Sequence, residues 1–322
     1  SHRPEVALTH CPFFHTACLS ILVKMLALCG TFVLVDKVDP AFILSQIEKY
    51  RVTMMLMVPP LLYMRLYDSG LWKQHALSSL REAQFTGGKC SMDYVHKIFT
   101  MFPNCKLRPS YGSTEVCASC SAVLSQAEFE RRPELCKTVG RINANCEMKL
   151  VDNDGNEVPV GEVGEGLVRS PSLFRGYIKN EELNARVLRD GWFHTEDLLR
   201  RDEEGFYYLV DRKKDMIKTG GENVYAQEVE DVLRNHPAVF DCALIGVEDD
   251  RFGEAVAAAI VLNEGCELSD EELIAYCRQN LSYKKPRYVA FVDDLPHNVT
   301  GKIQKSVLRE NSDRLFRPVR GL

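Results

Sequence analysis

Apolar and polar positions follow two different patterns along this chain, and the change falls just after Gly140. From His10 to about Lys137, short continuous apolar runs are interleaved with segments whose apolar residues recur at helical spacing. "GTFVLVD" reads as a strand. "DPAFILSQIEKYRV" after it reads as a helix, with Asp39 as N-cap and Pro40 at the first helical position. "TMMLMVPP" is a further strand stopped by Pro59 and Pro60, "LREAQFTGG" ends another, and "CSMDYVHKIFTMF" is helical. Strands alternating with helices imply βαβ units and a parallel sheet covered on both faces. The most apolar early stretch, "CLSILVKMLALCGTFVLV", is interrupted by Lys24 and divided at Gly30 and Thr31. It predicts a buried helix and then a buried strand, not a membrane span or a signal peptide.

Beyond Gly140, "CEMKLVDNDGNEVPVGEVGEGLVRSPSLFRGY" carries short strands separated by Asp-Gly and Gly-Glu turns, the signature of a small antiparallel sheet or barrel. "DGWFHTEDLLRRDEEGFYYLVDR" continues it. "AQEVEDVLRNHPAV" is a helix by the spacing of Val229, Val232 and Leu233, and "SDEELIAYCRQNL" is another with Ser269 as N-cap. The expected fold is a large α/β part, residues 1–213, followed by a small α+β domain, residues 214–322. The large part divides into an α/β subdomain (1–139) and an antiparallel β subdomain (140–213).

The 322 residues are 45% hydrophobic and 26% charged, with a net charge of −5, so nothing suggests a nucleic-acid partner. Twelve cysteines without an export signal suggest a reducing, cytoplasmic setting in which most thiols act as small apolar residues. Cys117 and Cys120 form a close pair, but no second Cys or His pair completes the roughly four ligands of a structural zinc site. They are expected to be packed thiols.

Three stretches could carry chemistry. In "YGSTE", Tyr111 offers an aromatic face, Gly112, Ser113 and Thr114 offer N–H and hydroxyl groups for an anion, and Glu115 could hold Mg²⁺. A plain turn leaving a strand would look the same. In "DGWFHTEDLLRRDEEGFYYLVDRKKDMIKTGGENVYAQEVE", Asp197 is placed to accept sugar hydroxyls and Arg212 ends the following strand. There "RKKD" reads as exposed charge, and Gly220 with Gly221 permits close approach or positive φ. In "LPHNVTGKIQK", Lys302 is either solvated surface or a point charge delivered to a phosphate.

Together and in order, "YGSTE", "GEVGEGLVRSPSLFRGY", "GWFHTEDL", "VDRKKDMIKTGGENVYAQEVE" and "PHNVTGKIQK" resemble the adenylate-forming enzymes: acyl- and aryl-CoA synthetases, firefly-type luciferases and peptide-synthetase adenylation domains. "KTGGENVYAQEVE" and "DLPHNVTGKIQK" look like the fatty-acyl-CoA ligase branch. The resemblance implies activation of a carboxylic acid by ATP as an acyl-adenylate, then transfer to CoA, with Mg²⁺ assisting. It implies that Tyr111 stacks on adenine, that Gly112, Ser113 and Thr114 meet the adenylate, and that Glu115 holds the metal. Gly87 and Gly88 would lie along adenine and the acyl pocket, and Asp197 and Arg212 would bind the ribose. Lys302 would reach the α-phosphate and Lys214 would be the hinge of the small domain. Gly220 and Gly221 would approach pantetheine, and His15 would line the acyl site. Pocket walls are expected from His15 to Ile21, Val58 to Leu61 and Val116 to Ser121. The resemblance also sets aside a metal role for Cys117 and Cys120, which follow the adenylate loop.

Three departures stand out. The family's glycine-rich phosphate loop, upstream of "PFFH", has no counterpart here, so the chain is expected to be a fragment with weak or no activity alone. Glu196 stands where the family usually has Gly, and Lys89 with Cys90 replaces a usual Ala-Pro. Two rival functions remain: loading a carrier protein instead of CoA, and a non-catalytic or redox module built on the cysteines. Acid chain length, oligomeric state and membrane-surface association are left open.

Overall fold

The computed structural model describes residues 4–58, 61–86, 90–298 and 302–319. The chain divides into two compact units, Ser1–Thr195 with Leu199–Leu209, and Glu196–Leu198 with Val210–Leu322.

In the first unit, strands β1 (Val6–Thr9), β2 (Thr31–Leu34), β3 (Met54–Met57), β4 (Glu82–Phe85), β5 (Lys106–Ser113), β6 (Cys117–Ser121) and β7 (Arg141–Ile142) form one sheet. Its order is β2-β1-β3-β4-β5-β6-β7. The β2-to-β5 pairs are parallel, whereas β5–β6 and β6–β7 are antiparallel. Period-two alternation decides which face each residue serves. Leu8, Met55 and Met57 enter the core shared with helices α2 (Pro40–Tyr50), α3 (Leu61–Asp68) and α4 (Met92–Met101). Ala7, Met54 and Leu56 meet Cys18, Ile21 and Met25 of α1 (Thr16–Ala27) on the opposite face. The apolar run around Lys24 is therefore a helix and a strand, as its break at Gly30 implied, but the strand is not buried: β2 is the outer strand of its sheet and leaves Thr31 and Leu34 exposed and Phe32 and Val33 half-buried. Among the described residues no helix is long and apolar enough to cross a membrane.

Local causes set the helix boundaries. Asp39 Oδ1 accepts from Phe42 N at 2.8 Å ahead of Pro40. That helix stops at Arg51, whose φ of 51° lies in the left-handed region. Ile43, Leu44 and Ile47 form its buried face, each contributing about 1.5–3 kcal/mol of apolar burial.

A second sheet contains β8 (Glu147–Val151), β9 (Val163–Arg169), β10 (Leu188–Arg189), β11 (Trp192–Arg201) and β12 (Tyr207–Arg212), preceded in the chain by α5 (Gln126–Arg131) and interrupted by α6 (Glu181–Val187). The β8–β9 and β10–β11 pairs are antiparallel, in line with the short strands and glycine turns after Gly140.

In the second unit, β13 (Ile217–Thr219), β14 (Glu222–Val224), β15 (Val239–Asp249), β16 (Gly253–Leu262), β17 (Tyr288–Phe291) and β18 (Arg317–Pro318) form a mixed sheet. Alternate residues of β15 again serve two cores. Cys242 and Leu244 pack with α7 (Ala226–Arg234) and α8 (Asp270–Leu281), and Ala243 and Ile245 pack with Leu308 of α9 (Lys305–Glu310). Val229 and Leu233 are fully buried on α7. Ser269 and Glu272 form a reciprocal cap at the start of α8, with Ser269 N donating to Glu272 Oε2 and Glu272 N to Ser269 Oγ.

Two further expectations about exposure fail. Cys117 is exposed, because it opens β6 at a turn with φ 63°, while Cys120 is buried as expected. Asp215, within the charged "RKKD" run, is buried because Arg309 Nη2 meets its Oδ1 at 2.6 Å. The stops at Pro59 and Pro60 lie outside the described residues.

Candidate active site

Ligands of open α/β sheets gather at the carboxyl ends of parallel strands, and the candidate residues of the first unit follow that rule. Tyr111, Gly112 and Ser113 end β5; His15 caps the helix that follows β1. Thr114, Glu115 and Val116 form the turn between β5 and β6. A register shift between Tyr111 and Gly112 sharpens this hairpin, and Cys117 O lies 1.7 Å from where a Gly112 Cβ would stand. Only glycine allows that approach. Glu115 N donates to Ser113 Oγ at 3.3 Å, tightening the turn, and Thr114 is exposed at its tip.

Glu115 is held from a distant loop. Tyr177 Oη–H donates to its Oε1 at 2.8 Å, and Phe174 N donates to its backbone oxygen at 2.7 Å. Tyr111 is buried against Cys120, Leu150, Leu199 and Tyr207. His15 Nδ1 accepts from Ala17 N at 3.1 Å, an N-cap bond that fixes its ring. His10, just past β1, turns Nε2 to the Val58 carbonyl at 3.0 Å, and burial pulls its pKa down. Gly87 and Gly88 lie outside the described residues.

The second unit brings together another set. Asp197, largely buried, lies 3.6 Å from Arg212 Nε. Lys302 lies within electrostatic reach of both: crowding by protein and the Arg212 charge hold its ammonium below the ordinary lysine value, while Asp197 opposes that shift. Although Lys302 remains open to solvent, its backbone is fixed by a hairpin. Asn298 N donates to Lys302 O and Lys302 N to Asn298 Oδ1, both at 2.9 Å. Next to Asp197, Glu196 has φ 57°, and its carbonyl accepts from Lys213 N at 2.8 Å. The family's usual glycine at this place thus has a backbone reason.

Lys214 is exposed, and its carbonyl accepts from Arg309 at 3.3 Å; Asp215 N and Met216 N both turn back to Arg212 O. Gly220 and Gly221 form the β13–β14 turn with φ of 60° and 86°, which matches a two-residue hairpin; the Phe252 ring packs beside Gly220, and the space beside Gly221 is open.

Several supporting groups had no visible signal in the sequence beyond their residue type. Lys305 Nζ lies 2.8 Å from buried Glu230 Oε1. Asp211, pushed up by burial and partly relieved by Lys305, accepts from Arg212 N at 2.7 Å and Gln227 N at 3.3 Å. Tyr177 lay inside a quoted motif without a role. Among the described residues, all twelve cysteines are free and no cluster of three or more acidic, His or Cys side chains could cage a metal.

Comparison with known proteins gives the following. The sequence pattern of the AMP-binding enzymes matches residues 2–178, and that of the AMP-binding enzyme C-terminal domain matches residues 228–302. Feruloyl-CoA synthase from an Amycolatopsis species is 37% identical over 307 residues, which is 95% of this chain and 61% of that protein. Amide bond synthetase McbA from Marinactinospora thermotolerans superposes with a TM-score of 0.83 at 33% identity, covering 96% of this chain and 61% of that one. o-Succinylbenzoate CoA synthetase (MenE) from Bacillus subtilis, bound to the acyl-adenylate OSB-AMP, superposes with a TM-score of 0.85 at 29% identity, covering 99% and 63%. The same enzyme has also been solved with ATP and magnesium ion. The chain spans less than two thirds of the length of each of these relatives.

Proposed function

Because this chain belongs to the AMP-binding enzyme family, we propose that it serves ATP-dependent acyl-CoA ligation, activating a carboxylic acid, fatty by its branch motifs, as an acyl-adenylate and passing the acyl group to CoA. The observation that carries this reading is the Asp197–Arg212 pair, 3.6 Å apart, with Lys302 within electrostatic reach of both. Such a group binds ribose hydroxyls and sets a positive charge beside the α-phosphate.

In the first step a carboxylate oxygen attacks the α-phosphorus of ATP and pyrophosphate leaves. Lys302 stabilises the negative charge that builds on the phosphoryl and carboxylate oxygens. Ser113 and Thr114 orient the adenylate, and Tyr111 stacks on adenine. A carboxylate beside two hydroxyls suits Mg²⁺, which takes one or two carboxylates together with substrate phosphates and water. Glu115 is therefore the residue that would hold it, and bound there it would neutralise phosphate charge. In the second step the CoA sulfur attacks the acyl carbon and AMP leaves. The glycine turn at Gly220 and Gly221 admits pantetheine, and Lys214 is the hinge between domains of residues 1–213 and 214–322. His15 lines the acyl site. The reading includes a reducing, cytoplasmic setting, in which the buried thiols act as small apolar residues.

The test is incubation with ATP, Mg²⁺, CoA and a panel of fatty and aryl acids, with AMP and thioester read by mass spectrometry. Thioester that disappears in Lys302→Ala and persists in Cys117→Ser supports the ligase. Loss in Cys117→Ser with retention in Lys302→Ala would overturn it in favour of a cysteine-based module. The likeness to an amide bond synthetase gives a second reading, in which an amine accepts the acyl group. An amine arm and a carrier-protein arm of the same assay separate these acceptors.

A further inference from the structure

We propose that Tyr177 is a positioning residue for the metal-binding carboxylate of Glu115, and that Asn184 fixes Tyr177 for this task. The inference rests on the reading of Glu115 as a magnesium ligand. A glutamate at a hairpin turn has several rotatable bonds, so a carboxylate meant to meet a hard cation must be aimed by its surroundings. Here one oxygen is already committed: Tyr177 Oη–H donates to Glu115 Oε1 at 2.8 Å, across 62 residues of sequence. A charge-assisted bond of this kind restrains how the carboxylate can turn.

The same loop also grips the backbone of the turn. Phe174 N donates to Glu115 O at 2.7 Å, and Ser172 Oγ donates to Val116 O at 3.0 Å. Tyr177 is itself clamped on both sides by one side chain of α6: its N–H donates to Asn184 Oδ1 at 2.6 Å, and Asn184 Nδ2 donates to its carbonyl at 2.8 Å. Gly176 makes this possible, with φ 133° and an added Cβ only 3.0 Å from Asn184 Oδ1. Phe174 wedges edge-on between Tyr177 and Phe193, with ring centroids 4.8 and 5.6 Å away. The chain of contacts thus runs from α6 through Tyr177 to the carboxylate.

Mn²⁺ serves as the probe. The 322-residue chain is titrated with Mn²⁺ in the presence of ATP, and free Mn²⁺ is followed by electron paramagnetic resonance. Tyr177→Phe, which removes one hydroxyl, is expected to weaken Mn²⁺ binding about tenfold while leaving the urea midpoint unchanged. Asn184→Ala, which touches no metal ligand, should weaken it in the same direction, and Glu115→Gln should abolish the loss of free Mn²⁺ signal that the protein causes beyond ATP alone. Unchanged Mn²⁺ affinity in Tyr177→Phe together with loss in Glu115→Gln overturns this inference and leaves the role of Glu115 standing. Equal binding in Glu115→Gln and the native chain, or no binding to the native chain, overturns the underlying reading as well.

Discussion

Replacing Lys305 by Met isolates one charge in the second unit. Lys305 Nζ lies 2.8 Å from Glu230 Oε1, with the two side chains 16% and 5% exposed. Glu230 Oε1 also accepts from Leu244 N at 2.9 Å, and its Oε2 lies 3.6 Å from Arg234. Arg234 is drawn away by Asp241 Oδ1 at 2.9 Å and the Cys242 carbonyl at 2.7 Å. Helices α7 and α9 and strand β15 therefore meet on one carboxylate. Methionine keeps most of the apolar stem of lysine, so the change removes a charge without opening a large cavity. Breaking a buried pair costs about 3–5 kcal/mol when the remaining charge is left uncompensated. Glu230 keeps a backbone donor and part of Arg234, so we expect less than that, about 2–3 kcal/mol.

The loss should also depend on pH. Burial holds Asp211 above its ordinary 3.8, and Lys305 offsets part of that shift. A carboxyl whose pKa is higher when folded costs stability as pH rises from its unfolded value through its folded value. Without Lys305 the folded value climbs further, so the variant should lose more at neutral pH than near pH 4. The two tryptophans, Trp72 and Trp192, both lie in the first unit and would not report this. Native-state hydrogen exchange of the β15 and β16 amides reads the second unit directly. A cycle with Glu230→Gln then gives the coupling. If the two changes add within about 0.5 kcal/mol, the pair does not interact and the reasoning fails.

Three other outcomes are expected. Gly112→Ala should destabilise the β5–β6 hairpin by about 3 kcal/mol or more, read by urea unfolding of tryptophan fluorescence, because its Cβ would stand 1.7 Å from Cys117 O. Glu196→Gly should gain about 0.5–1 kcal/mol by relieving a left-handed φ, less the extra freedom of unfolded glycine, whereas Glu196→Val should lose about as much; thermal unfolding of both variants checks the sign. If the charge on Lys302 assists adenylation, activity should fall on the alkaline side at a pH below its ordinary 10.5. Arg212→Ala removes a repulsive charge and should move that limb up; Asp197→Asn removes an attractive one and should move it down. AMP release measured across pH decides, and a limb that moves the other way in either variant refutes the assignment.

What could be read from the chain had local causes, and what could not depended on distant partners. The Asp39 and Ser269 caps, the Gly220–Gly221 turn and the two faces of the parallel sheet follow from residues a few positions apart. Periodicity assigns a residue to a face but never names what lies across from it. Asp215 reads as exposed within a run of charge, yet Arg309, 94 positions on, draws it inside. Cys117 reads as packed beside Cys120, yet the turn that seats it needs a left-handed φ and turns it outward. The candidate site follows the same division. Ser113, Glu115, Asp197, Arg212 and Lys302 stood out as residue types suited to phosphate, metal and sugar, whereas the groups that aim them did not. Tyr177 looks like any loop tyrosine until its hydroxyl is found on Glu115, and Lys305 like any helix-terminal lysine until Glu230 is found beneath it. Glu196 shows the opposite case. Its departure from the family's glycine was visible in the sequence as a bare mismatch, and the φ of 57° gives that mismatch a physical size. A strained residue directly before Asp197 should therefore relax without moving any proposed ligand. That makes Glu196→Gly the substitution in which stability and the ribose site can be measured separately.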